Sequence, residues 1–231
     1  MQFVLLLYCK SIIAKELFEA LSLNQDELVG VHNLPVCDNF FASRDGFISD
    51  LETKLSERIK PVIFLSGEPG SGKTNTISRM ENKRDSVISL RFHAFKPLQV
   101  GDMSITADEG VYKRRDFWSD LLILLRDNVC KGHIAEYNIP VCNALIKEID
   151  GLRKEVLRIA KEYVAKHKKT FIIAVDGIDH TARAGKSDTF LETLPCPDEV
   201  PDGVCFLIAG QPLKDYEKYP RWLSGDDVLK L

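Results

Sequence analysis

Residues Gly67-Glu68-Pro69-Gly70-Ser71-Gly72-Lys73-Thr74 fit the pattern G-x-x-x-x-G-K-[ST] at every specified position. Such a loop constrains the fold because it works only between a buried strand and the start of a helix. Its glycines let successive backbone N–H groups curl around phosphate oxygens, the lysine reaches the β and γ phosphates, and the threonine hydroxyl can ligate Mg²⁺. Both flanks are present. Pro61-Val62-Ile63-Phe64-Leu65-Ser66 is a continuous apolar run, as expected of a central parallel strand covered on both faces. Asn75 to Glu81 then sets Ile77 and Met80 on one helical face, with the N-terminal dipole aimed at phosphate. The residues expected to hold ATP or ADP are Gly67, Glu68, Pro69, Gly70, Ser71, Gly72, Lys73, Thr74 and Asn75.

The second informative stretch is Phe171-Ile172-Ile173-Ala174-Val175-Asp176, a buried strand that delivers a carboxylate at its carboxyl end, where ligands bind in open α/β sheets. Asp176 and Thr74 are the expected Mg²⁺ ligands. Asp179, three residues on, is placed to reach a water near the γ phosphate, although a helix N-cap is a competing role. Val204 to Ala209 reads as a further buried strand. It leads to Gln211, whose side chain could sense the γ phosphate or sit in a plain turn.

The remaining chain fits one domain and an appendage. With 231 residues, 45% of them hydrophobic, it can bury one substantial core. Ile12, Ile13, Leu17 and Leu21 form an apolar stripe in an expected helical appendage over residues 1–39, and the core is expected over 40–231. Phe47, Ile48, Leu51, Leu55 and Ile59 recur at helical spacing before the first strand. A strand is expected over Ser86–Phe95, a loop over Gly101–Gly110 and a helix over Asp116–Val129. A long helix interrupted once at Gly151 should run from after Pro140 to Lys169. Asp227 to Leu231 alternates as a strand does, and the native protein is expected to continue beyond it.

Composition narrows the function classes. A formal net charge of −3 gives no global attraction to nucleic acid or to an anionic membrane, and no aromatic residues interleave with basic ones. Nucleic-acid motor action is therefore disfavoured but stays open. Phe3 to Cys9 is too short to span a membrane and lacks the charged start of a signal peptide. Six scattered cysteines without a C-x-x-C pair argue against zinc or a disulfide framework and for a reducing cytoplasm.

These stretches together resemble the signal-transducing ATPases with numerous domains, the STAND class of P-loop NTPases, and within it the NACHT-like group. Gly67 to Thr74 is similar to the Walker A loop, and FIIAVDGID from Phe171 to Asp179 resembles the Walker B strand. VCFLIAGQP from Val204 to Pro212 is similar to the sensor strand. Phe41-Ala42-Ser43-Arg44-Asp45 resembles the aromatic-Gly-Arg-Glu element near the nucleotide base, which adds Phe41 and Arg44 to the expected nucleotide contacts.

The resemblance implies a three-layer α/β sandwich with a five-stranded parallel sheet of the additional-strand (ASCE) type. It also implies an ATP-driven switch in a larger signalling or defence protein that acts through self-association or its other domains. Lys73, Asp179 and Gln211 would be the catalytic residues. His180 stands where relatives commonly carry another acidic residue, and Gln211 where they often carry arginine. Two other functions follow from the same residues: a nucleotide-binding interaction module with little hydrolysis, and a small-molecule kinase. The kinase is the weaker of these, because a trailing aspartate suits water activation and no arginine-rich lid is evident.

Overall fold

The computed structural model describes residues 44–57, 60–84, 86–94, 113–129, 137, 148–183, 188–212, 219–223 and 228–231. The appendage expected over 1–39, Phe41 and the loop expected at Gly101–Gly110 lie outside these residues.

Five strands form one sheet: β1 (Val62–Ser66), β2 (Ile88–His93), β3 (Phe171–Asp176), β4 (Val204–Gly210) and β5 (Val228–Lys230). All pairings are parallel, and the order is β2-β3-β4-β1-β5. The phosphate-loop strand β1 and the acidic strand β3 are thus separated by β4, the additional strand. Every residue of β1, β3 and β4 is buried, which is why these segments read as unbroken apolar runs rather than alternating ones.

Successive side chains serve two layers, because strand residues alternate between faces. On one face Phe64, Phe92, Phe171, Ile173, Val175, Phe206 and Ile208 pack under helices α3 (Arg114–Leu124) and α4 (Ile149–His167) and a short turn at Phe190–Thr193. On the other, Ile63, Leu65, Ile172, Ala174, Cys205 and Leu207 meet Ile48, Leu51 and Leu55 of α1 (Asp45–Ser56) and Ile77 and Met80 of α2 (Lys73–Glu81). The result is the expected three-layer sandwich. Salt bridges Arg79–Asp45, 3.2 Å, and Lys83–Glu52, 2.6 Å, tie α1 to α2 and to the turn that follows it.

Three expectations change in detail. Gly151 does not interrupt α4: it lies in the first turn, and the helix runs on through buried Leu152, Val156, Ile159 and Ala160. It stops at Lys168, which takes the left-handed conformation at φ 54° with its N–H on Val164 O. The helix expected at Asp116–Val129 starts at Arg114 and changes to a π turn over Leu125–Val129. The strand expected over Ser86–Phe95 is only Ile88–His93, with a register shift between Ile88 and Leu90.

That shift matters for the site. Ile88 packs in the α1/α2 layer, whereas Leu90 and Phe92 pack in the opposite one. A regular strand would put all three on one face, so the irregularity turns Arg91 and His93 toward α2. Among the described residues no helix is long and apolar enough to cross a membrane, and the two described cysteines, Cys196 and Cys205, are free thiols.

Candidate active site at the carboxyl edge of the sheet

The loop from Gly67 to Gly72 joins β1 to α2 and needs glycine at defined points. A Cβ on Gly67 would lie 2.4 Å from Ser71 Oγ and 3.2 Å from the Leu231 carbonyl oxygen. Gly70 and Gly72 adopt φ of 76° and 92°, a region that side chains with a Cβ avoid. Gly72 is the N-cap of α2, so the first turn Lys73-Thr74-Asn75 opens into the loop with free N–H groups. Glu68, Pro69 and Gly70 form the exposed crest, and Ser71 to Asn75 are half-buried.

Lys73 is turned inward. Its Nζ donates to Gly67 O at 2.7 Å and Glu68 O at 3.0 Å, with Ser71 Oγ at 3.5 Å. Burial pushes this ammonium below its usual pKa, against the opposing pull of Asp179, Asp176 and Glu68. Both candidate carboxylates therefore lie within electrostatic reach of the lysine.

Asp176 ends β3 with 1% exposure. Thr74 Oγ1 donates to its Oδ1 at 3.3 Å, so the two expected metal ligands, distant in sequence, meet across the gap between α2 and β3. Its Oδ2 accepts from Arg91 Nη2 at 3.1 Å and lies 3.1 Å from His93 Nδ1. Burial alone would raise this carboxyl, yet the His93 and Arg91 contacts hold it below its ordinary value and keep it ionised. One hydroxyl and one carboxylate are a donor set suited to Mg²⁺, which takes few protein ligands and keeps waters and phosphate oxygens for the rest. Among the described residues there is no cluster of three or more His, Cys, Asp or Glu side chains that would form a dedicated metal cage.

After Asp176 the chain turns at Gly177, φ 79°, whose N–H bonds Ala209 O at 3.0 Å. Helix α5 (Ile178–Arg183) then starts. Asp179 lies in its first turn, 3% exposed, with its carboxylate paired to the Arg183 guanidinium one turn later. His180 Nε2 stands 4.0 Å from the same carboxylate, and burial pushes this imidazole below its usual range against the pull of Asp179. Gln211 follows the last residue of β4, Gly210, whose carbonyl accepts the Gly67 N–H at 3.3 Å. It is therefore placed beside the root of the phosphate loop.

Residues 57–217 match the family model of the AAA domain. The chain belongs to the AAA domain family. No curated protein is similar enough to count as a match. Solved structures that resemble the chain include the Walker-type ATPase PABY2304 of Pyrococcus abyssi, 16% identical over 88% of this chain and 57% of that one, TM-score 0.48. The ORC2 protein of Aeropyrum pernix, solved as ADPNP–ADP complexes, is 16% identical over 90% of this chain and 51% of that one, TM-score 0.46. Drosophila ORC bound to DNA is 15% identical over 93% of this chain and 47% of that one, TM-score 0.45. The chain spans about half the length of these proteins.

As an AAA-type P-loop ATPase domain, the molecule collects Lys73, Thr74, Asp176 and Asp179 around one loop, with Gln211 at its root. Arg44 is the N-cap of α1, next to Asp45, whose partner Arg79 lies near the far end of α2.

Sequence reasoning missed Arg91, His93 and Arg183. Two polar residues, Arg91 and His93, inside an otherwise apolar strand were one available signal, and the i, i+4 spacing of Asp179 and Arg183 was the other. An expected preference for adenine that rests on the absence of an N-K-x-D guanine reader is also wrong in its premise, because Asn82-Lys83-Arg84-Asp85 has that spelling. In this AAA domain Asn82 caps the end of α2 away from the loop and Lys83 pairs with Glu52, so these two residues serve helix termination and packing, and Asp85 lies outside the described residues.

Proposed function

We propose that this domain binds and hydrolyses Mg-ATP and acts as a regulatory switch in a larger cytoplasmic protein of the STAND, NACHT-like kind. The observation that carries the reading is the 3.3 Å contact of Thr74 with Asp176 beside the phosphate loop, with Lys73 and Asp179 next to it.

In this reading the N–H groups of Gly70 to Asn75 cradle the phosphates, and Lys73 leaves its loop carbonyls to stabilise the charge that develops on the transferred group. Thr74 and Asp176 would hold Mg²⁺, which when bound neutralises charge on the phosphates. Asp179 orients or deprotonates the attacking water, and Gln211 reports on the γ phosphate. The core comprises residues 40–231 and the appendage residues 1–39. The packing of α1 into the core supports the position of that boundary. Partners are expected among other domains of the protein or further copies of it, with defence or cell-death signalling as the output.

The test is Mg²⁺-dependent phosphate release from ATP and from GTP, run beside a direct binding titration. ATP-selective release lost in Lys73→Ala supports the reading, and release unchanged in both Lys73→Ala and Asp179→Asn would sink the assigned roles. One observation favours a second reading, a nucleotide-binding interaction module with little hydrolysis: the Asp179 carboxylate is already engaged by Arg183. Tight binding with turnover no higher than that of Asp179→Asn would select it.

A further inference from the structure

Arg91 is a deeply buried cation that no proposed step uses, with its side chain 1% exposed. Its guanidinium spans two elements. On the α2 side, Nη1 donates to Ser78 Oγ at 2.9 Å and to Glu81 Oε2 at 2.9 Å. On the β3 side, Nη2 donates to Asp176 Oδ2 at 3.1 Å. The fork is planar and rigid, so bonds from its two arms fix the distance between the partners as well as pairing their charge. Those two elements are the ones that bring Thr74 and Asp176 together.

We propose that Arg91 is a positioning residue which sets the Thr74–Asp176 pair by clamping α2 to the end of β3, so that one oxygen of Asp176 stays turned toward the phosphate loop. The inference rests on the reading of Thr74 and Asp176 as the Mg²⁺ ligands and adds a residue to that site.

The geometry divides the carboxylate into two halves. Oδ2 is occupied by Arg91 and by His93 Nδ1, whereas Oδ1 faces only Thr74 among the bonds described above. Charge fits the same role. Counting Arg91, Asp176 and Glu81, the cluster holds one cation and two carboxylates and keeps a net negative charge for an incoming cation. A single arginine paired to Asp176 alone would cancel that charge, so Glu81, 29% exposed at the end of α2, lets the clamp exist without neutralising the site. The register shift in β2 is what makes the arrangement possible, since it turns Arg91 to the α2 face.

The experiment titrates Mn²⁺, followed by electron paramagnetic resonance, into the protein saturated with a non-hydrolysable ATP analogue, and separately measures analogue binding without metal. Arg91→Met should weaken Mn²⁺ binding by roughly 10- to 100-fold, the range for partners that orient a metal ligand, while metal-free analogue binding stays within about twofold of wild type. Arg91→Lys, which can hold Asp176 but cannot also span to Ser78 and Glu81, should fall between the two and show an altered Mn²⁺ spectrum. The double variant Ser78→Ala/Glu81→Gln cuts only the helix side of the clamp and should lose Mn²⁺ affinity in the same direction. It decides the matter if Arg91→Met fails to fold.

Mn²⁺ affinity unchanged in Arg91→Met, or in the double variant where that one must decide, overturns the positioning role and leaves the nucleotide site standing. Absence of nucleotide-dependent Mn²⁺ binding in the wild-type protein overturns the metal-ligand reading itself, and the clamp with it.

Discussion

At the residue scale, the Asp179–Arg183 pair bears directly on the role proposed for Asp179. A carboxylate held by a guanidinium has less freedom to turn and orient a water. Arg183 is half exposed while Asp179 is buried, so the arginine can leave at lower cost than the aspartate. Arg183→Gln is expected to raise phosphate release from Mg-ATP by a few-fold with nucleotide affinity nearly unchanged. Asp179→Asn should lower release by about 100-fold or more while binding persists, as loss of a positioned general base does. Single-turnover assays on the two variants, with affinity measured separately, check both outcomes. A fall in release for Arg183→Gln would instead make the arginine a contributor to the transition state.

Elements show why parts of this architecture were readable in advance. Helix α1 lies upstream of the residues that match the AAA domain, yet Leu51 and Leu55 are among the most buried side chains of its layer. Leu55→Ala should therefore destabilise the fold by about 2–5 kcal/mol, as for any large-to-small change in a packed core, measured by urea unfolding.

The short turn Pro197–Glu199 gives a smaller, pH-dependent contribution. Glu199 accepts the Cys196 N–H at 2.9 Å and pairs with Arg153. The Cys196 backbone contact, then its side chain, then the Arg153 guanidinium hold this carboxyl below its ordinary 4.5. Its stabilisation is complete above that value and is lost as pH falls through the depressed folded-state value. Glu199→Gln should remove less than about 1 kcal/mol, because solvent screens the half-exposed pair. The variant should also flatten the stability profile below pH 4.5. The loop, α2, β1, β3 and β4 were legible because each announces itself within its own few residues, by an apolar run or a glycine pattern. Arg91 was not, because its direction depends on a register slip between β2 and β3 that local periodicity does not carry. Gly151 misled because a glycine in a first helical turn costs little when the following stripe is well buried.

For the whole molecule, the sheet divides two apolar layers, and the one built from α1 and α2 also bears the phosphate loop. Ligand occupancy should thus act on global stability. At a free Mg-ATP concentration 100 times the dissociation constant, the folded state gains about 2.7 kcal/mol. The thermal midpoint should rise accordingly in wild type and stay put in Lys73→Ala. Lys73 adds a consequence for which molecules the domain heeds. The ammonium donates to the Gly67 and Glu68 carbonyls, so in the proposed reading a ligand must offer stronger acceptors than a peptide bond does to engage it. Adenosine brings none, and AMP only its single phosphate. In the proposed reading, a domain built this way would count phosphoryl groups before it distinguishes bases, so di- and triphosphates should compete for it far better than adenosine does.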